Sequence, residues 1–352
     1  MPRYARRLVA ASLITLAAVA AMPGPAAATP PGQNGQITFQ RFDENGTFQV
    51  WVANPDLTNQ RQLTHGPSGS GFPNWAPDGA RIAFDSNRTD SDLDDGIEIV
   101  DVFTMRPDGS DVRQITDSRG YSGKPSWSPD GRWLLFDADR GDYPRSQGIY
   151  VIPSDGSGPP RRITTLTVAG GWQELARFSP DGSRISFDEV RGSRELQRGQ
   201  PGKVVGEDVS LHTVRPDGSD LRQITPRGLH GGDADWSPDG TKLVFAGQPT
   251  HVGNIGDIMV VDADGKHLKD LTQDHGLTGF GNDNAFVYDE SFNAVWSPDG
   301  SKILFLHQRF TVEEGFTSGL QTMNPDGSDR QFVSADHGEE PQPEWGTLPP
   351  VP

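Results

Sequence analysis

The chain has 352 residues, 31 Lys and Arg against 48 Asp and Glu, and a formal charge of −17. So acidic a chain is a poor partner for nucleic acid or an anionic membrane surface. Without Cys it has no disulfide, thiolate nucleophile or Cys-held metal. Its 42 Gly and 29 Pro, with no long stretch of 3.6-residue periodicity, favour short strands and turns over helices.

Residues 1–28 have the form of a secretory signal peptide. Arg3, Arg6 and Arg7 form the positive end, Leu8 to Ala21 an apolar run, and Ala26-Ala27-Ala28 a small-residue cleavage site. Export and removal after Ala28 are expected, and the loss of three Arg takes the charge to −20. The mature chain then holds no transmembrane segment and is expected to work as a monomer, in an extracellular or periplasmic setting.

After a lead-in at 29–33, residues 34–346 are built on one recurring stretch. It reads Trp75-Ala76-Pro77-Asp78-Gly79, Trp127 to Gly131, Phe178 to Gly182, Trp236 to Gly240 and Trp296 to Gly300, with the aromatics 52, 51, 58 and 60 residues apart. Pro presets φ for the turn and Gly accepts the left-handed φ that other residues resist, so each copy reads as strand, tight turn, strand. A period of this size marks a repeat architecture. Each repeat has a second turn, as in Arg106 to Asp111, Arg215 to Asp220 and Asn324 to Asp329.

Four strands per unit and six units predict an all-β, six-bladed β-propeller of four-stranded blades. Gln36 to Gln40 enters the first repeat one strand late, and Pro343-Glu344-Trp345-Gly346 has the form of the missing strand. The C-terminal strand should therefore join the first blade and close the ring, which removes exposed sheet edges. Residues 347–352 are left as a tail.

The W-S-P-D-G turn, the K/R-I-x-F strand after it and the closing R-Q-I/L-T strand resemble the TolB-type propeller repeat. The resemblance implies a six-bladed propeller and export. TolB proteins carry a further α/β domain before the propeller, for which only a few residues remain here. Similar repeats also form the propeller domains of prolyl-oligopeptidase-like enzymes, but the G-x-S-x-G elbow of their hydrolase domain is missing.

The short turns fall on one face and the longer connections, including 86–97, 190–206, 273–291 and 308–318, on the other. That second face, with the channel mouth at its centre, is the expected working face. Residues just before the strand-A aromatics approach the axis. Lys124, Trp172, Glu174, His230, Asp233 and Glu290 are the candidate ligand-binding residues at the mouth, where acids from separate blades could hold a cation or basic ligand. No catalytic residue is assigned, and no Ser-His-Asp arrangement is legible. His65, His275 and His337 follow the outermost strand, so they should lie round the rim without converging. His212 reads as core. Asp90, Asp92 and Asp94 alternate as in a calcium loop, with Glu98 to complete the cage. No cofactor is required, and calcium is the ion this loop would admit. The expected function is that of an exported, non-enzymatic binding or scaffold propeller presenting its long-loop face to a protein or cell-envelope polymer. The alternative is a carbohydrate-active or other small-substrate hydrolase or lyase, with acids or a divalent ion at the channel mouth.

Overall fold

In a computed structural model of the chain, the described residues are 32–90, 99–118, 120–139, 147–165, 171–195, 203–248, 256–273, 288–311, 315–333 and 342–348. Residues 1–28, expected as a signal peptide, lie outside them. Among the described residues there is no helix, and the strands form six four-stranded antiparallel sheets. Blade one takes Glu344–Thr347 as its innermost strand, followed by Asn34–Phe42, Phe48–Ala53 and Arg61–Gln62. Ile37 pairs with Trp345 and Thr38 with Glu344, so the C-terminal strand closes the ring as expected. The innermost strands of blades two to six are Ser70–Trp75, Tyr121–Trp127, Trp172–Phe178, Gly232–Trp236 and Tyr288–Trp296.

The repeated turns form for the reasons their sequence gives. In blade three, Gly131 donates its N–H to Ser128 O at 2.9 Å with φ of 69°, while Ser128 Oγ donates to Asp130 Oδ1 at 2.6 Å. The outermost strands are only two residues long. Two of the connections expected as loops are largely strand. Blade four runs out through Ile185–Glu195 and back through Lys203–Val214, and blade six through Ile303–Thr311 and Gly315–Met323.

The core is divided among the blade interfaces. Trp127 packs with Val102 and Ile115 of blade two, Trp236 with Leu211 and Ile224 of blade four, and Trp296 with Ile258 and Leu271 of blade five. These three rings are 5, 2 and 4 % exposed. Each cut to Ala should cost about 3–5 kcal/mol, because each one cements two blades.

Candidate functional site

A bulge organises the channel. In blades two to six the pairing of the innermost strand slips by one residue, as between Gly71 and Asn74 or between Glu174 and Arg177. The residue at the slip has a left-handed φ although it is not glycine: Phe72 (47°), Lys124 (51°), Leu175 (55°), Asp233 (56°) and Asn293 (55°), matched by Gln342 (69°) in blade one. Such backbone costs about 1–3 kcal/mol per residue and persists only where its surroundings enforce it. In blades two, three and five enforcement comes from the preceding blade, whose second strand supplies an acceptor for the bulge N–H. Gln40 Oε1 takes Phe72 N at 3.0 Å, Asp85 Oδ2 takes Lys124 N at 2.9 Å, and Asp188 Oδ2 takes Asp233 N at 2.7 Å. Room for that acceptor comes from the glycine before the bulge. A Cβ on Gly71, Gly123 or Gly232 would lie 2.5–2.7 Å from the acceptor oxygen.

Blade four breaks this pattern. Glu174 stands where blades two, three and five have glycine, and it bonds Lys124 Nζ at 2.5 Å across the blade boundary. Asp137, the acid expected to hold the blade-four bulge, is 4 % exposed, and its Oδ1 has no partner among the described residues. Burial pushes the Asp137 carboxyl up to about 8, against the pull of Lys124. Burial likewise raises Asp188 well above the usual carboxylate range and also raises Asp233. Lys124 would be lowered by burial, but Glu174, Asp137 and Asp85 hold it above its ordinary value.

Deeper in the channel, toward the short-turn face, Arg177 of blade four reaches Glu344 Oε2 at 2.8 Å on blade one, the opposite blade of the ring, and lies 3.8 Å from Asp235. Burial lowers the guanidinium, and Glu344, Asp235 and Asp233 more than offset it. Glu344 is itself pushed by burial up to about 7. The cavity at this level is only about 20 Å³, lined by Phe72, Lys124, Leu175, Arg177, Gln342 and Glu344. That is room for one water-sized particle, so among the described residues the channel is packed at this level.

Of the residues proposed from sequence, Lys124, Glu174 and Asp233 are placed within one electrostatic neighbourhood. Glu290 stands apart. It is raised to about 7 by burial alone, with no contribution from the other acids. Trp172 is 5 % exposed, inside blade four. His230 is half-buried with a left-handed φ of 48° and makes no side-chain hydrogen bond or ion pair among the described residues. His212 stacks on Phe187 with 5.7 Å between centroids, as a core residue would, and His65 is exposed. Asp92, Asp94 and Glu98 of the calcium loop lie outside the described residues, and Asp90 Oδ2 accepts from Ile99 N at 3.0 Å. Among the described residues no group of His, Asp and Glu is arranged to hold a metal.

Sequence reasoning missed Asp85, Asp137, Asp188, Arg177 and Asp235. A trace of the first three was present, because Phe84-Asp85, Phe136-Asp137 and Phe187-Asp188 repeat one dipeptide in one register. It also missed a Ser-His-Asp constellation in blade six. Ser291 Oγ is 3.2 Å from His307 Nδ1, and His307 Nε2 is 3.5 Å from Asp289 Oδ1. This is a structural network and not a nucleophile. Ser291 is 0 % exposed, and Arg330 Nη2 stands 2.8 Å from the same Nδ1, using the lone pair a general base would need.

These features define a six-bladed β-propeller with charged groups along its channel. Its structural neighbours include TolB proteins, in keeping with the repeat. TolB from Acinetobacter baumannii superposes with a TM-score of 0.64 at 20 % identity, over 89 % of this chain and 67 % of that one. A putative TolB from Agrobacterium tumefaciens gives 0.56 at 19 %, over 87 and 91 %. An oligogalacturonate lyase in complex with manganese gives 0.50 at 13 %, over 86 and 74 %, so the shared fold spans different activities. No family model matches the chain. Among curated proteins, the uncharacterized Atu1656 of Agrobacterium fabrum is 31 % identical over 40 % of this chain and 46 % of its own length. The uncharacterized peptidase YuxL of Bacillus subtilis is 26 % identical over 58 and 26 %, and a TolB homolog of Chlorobium luteolum 28 % over 47 and 31 %. The chain thus spans less than half the length of each of these relatives. No helix among the described residues is long and apolar enough to cross a membrane.

Proposed function

We propose that the chain is an exported binding propeller, monomeric and non-enzymatic, that engages a protein partner through a basic segment seated on the acidic channel mouth. The observation that carries this reading is the imbalance of buried charge. Glu174, Asp137, Asp188 and Asp233 converge near the mouth, where Lys124 pairs with Glu174 and Arg177 acts on Asp233 ahead of Lys124, and burial raises the three aspartates. A Lys or Arg side chain brought there would supply countercharge where the fold leaves it short, and charge-assisted hydrogen bonds of this kind are the strong ones. The TolB likeness supports the scaffold role and the exported setting.

The test is capture of cell-envelope proteins on the immobilised mature chain, compared with the double variant Glu174→Gln, Asp233→Asn. A retained protein should be lost from the variant and should elute from the wild type with rising salt. Retention that ignores both changes would overturn the reading. Turnover of envelope polysaccharide by the wild type that the same variant abolishes would establish the enzymatic alternative instead.

A further inference from the structure

The boundaries between blades follow one rule at the bulge and break it once. Where the preceding blade offers Gln40, Asp85 or Asp188 as acceptor, the residue before the bulge is Gly71, Gly123 or Gly232. Where the same position holds Ala246 or Leu306, which offer no acceptor, that residue is Phe292 or Pro341. Between blades three and four the acceptor Asp137 is present and the glycine is not. Glu174 stands there instead, and its Cβ fills the space that the acceptor oxygen takes beside the three glycines.

The result is a group of carboxylates with too few donors. Asp137 Oδ1 has no partner among the described residues, in a side chain 4 % exposed. Glu174 lies directly opposite Asp188 in the blade-four sheet, where like charges repel. Asp188 Oδ2 holds the Asp233 N–H, but its Oδ1 has no partner either, and the residue is 2 % exposed. The charged groups facing Asp137 are Lys124, Glu174 and Asp85, and those facing Asp188 are Glu174, Asp233 and Lys124. Lys124 is already bonded to Glu174, and Arg177 acts on Asp233. A repeat that breaks its own rule at one boundary, and leaves buried acceptors unmet there, marks that boundary as a site of function. The two unmet oxygens come from different blades, so serving both takes donors that diverge from a point. An ammonium has three such donors, whereas a guanidinium presents its flat fork to one carboxylate.

We propose, on the strength of the basic-segment reading above, that this boundary is the selective part of the mouth and takes one primary ammonium, the end of a lysine side chain, among Glu174, Asp137 and Asp188. Glu174 and Lys124 have side chains 18 and 17 % exposed and are met first. Binding is coupled to a proton. Burial holds the Asp137 carboxyl protonated up to about pH 8, and an arriving ammonium favours the ionised form. The proton therefore passes from Asp137 to the solvent as the ligand enters.

The probes are acetylated, amidated tripeptides with lysine, arginine or glutamine between two glycines, titrated calorimetrically into the mature protein in buffers of different ionisation enthalpy. The lysine peptide should bind at one site, roughly fivefold or more tighter than the arginine peptide, and the glutamine peptide should not bind. Its affinity should rise roughly fivefold or more from about pH 6.5 to about 8.5, a range in which lysine itself stays charged, with a proton released at the lower pH. Asp137→Asn should flatten that rise. Glu174→Gly restores the rule of the other boundaries and should abolish binding, while the Asp137 carboxyl, followed by NMR, titrates at lower pH than in the wild type. Asp137→Asn serves alone if Glu174→Gly does not fold. No binding of the lysine peptide, equal binding of the lysine and arginine peptides, or a rise with pH that persists in Asp137→Asn would overturn the proposal. Capture of an envelope protein without lysine-peptide binding would remove the ammonium site and leave the basic-segment reading standing. A bound lysine peptide with no captured protein would do the reverse.

Discussion

The turn aspartates and the channel aspartates are the same residue in the same repeat, and their environments drive them in opposite directions. Asp108, in a turn, accepts from both Ser110 Oγ and Ser110 N, and these bonds lower its carboxyl. Asp111 and Asp220 are held down to about 2, chiefly by Arg113 and Arg222 and then by Arg81 and Arg184. In the channel Asp137, Asp188, Asp233 and Asp235 are all raised by burial. The turn acids are where the chain needs acceptors, and serine, backbone and arginine donors satisfy them. The channel acids are where neighbouring blades must be tied together, and desolvation follows from that position. The repeat thus separates acids that shape the backbone from acids whose charge is in surplus.

The largest effect should come from removing the cation that supports the lower channel. Arg177→Met leaves Glu344 and Asp235 buried without their countercharge, which costs about 3–5 kcal/mol for a broken buried pair. Urea unfolding at pH 8 should show it, and the loss should shrink at pH 5, where Glu344 can take a proton. A loss of the same size at both pH values would mean that packing, not charge, is what Arg177 supplies.

Next in size is the pH profile of the wild type. A carboxyl raised in the folded state holds its proton more tightly there than in the unfolded chain, so stability falls as pH climbs from about 4 to about 8. This range spans the raised Glu344, Glu290 and Asp137. The lowered turn acids work the other way and lose stability as pH falls from about 4 toward 2. Melting temperature against pH should therefore peak near pH 4–5. A flat profile from 5 to 8 would erase the distinction between the two sets.

Much of this fold was legible because turn chemistry is local. Pro, Asp and Gly in order specify a turn without reference to anything distant, so five copies fixed the blade count and Glu344-Trp345 was recognisable as the missing strand. The channel was harder. Lys124, Glu174 and Asp233 were placed by their register before an aromatic, but Asp137 and Arg177 matter through partners on other blades. Arg177 meets Glu344 only because six blades make a ring, and no local pattern encodes which blade lies opposite. Trp172 and Glu290 stand six residues before their aromatics, against three for Lys124 and Asp233 and four for Glu174, so they fall outside that neighbourhood.

A smaller effect isolates the surplus charge. Asp137→Asn keeps the shape of a side chain whose Oδ1 has no partner and removes the desolvated charge. It should stabilise the protein at pH 8.5 by about 1–3 kcal/mol, the usual range for an unsatisfied buried polar group, and do little at pH 5. Destabilisation at pH 8.5 would show that the negative charge is compensated. Smallest of all, Asp108→Asn in a turn keeps a neutral acceptor for Ser110 and loses the charge those bonds favour, so differential scanning fluorimetry should find a small drop in midpoint at pH 7 that closes as the pH falls toward 2. An unchanged midpoint at pH 7 would show that the turn acids act as acceptors alone.

The pairing of Ile37 with Trp345 joins two strands about 300 residues apart in sequence. As the chain is delivered from the N-terminus onward, the strand at Asn34–Phe42 comes among the first and lacks its inner neighbour until Glu344–Thr347 follows. Through that interval it presents an unpaired edge, the kind that templates association between chains. The strand Glu344–Thr347 therefore sets the moment at which the ring can first close, and a product cut short before it should be recognisable by its stickiness rather than by any missing surface.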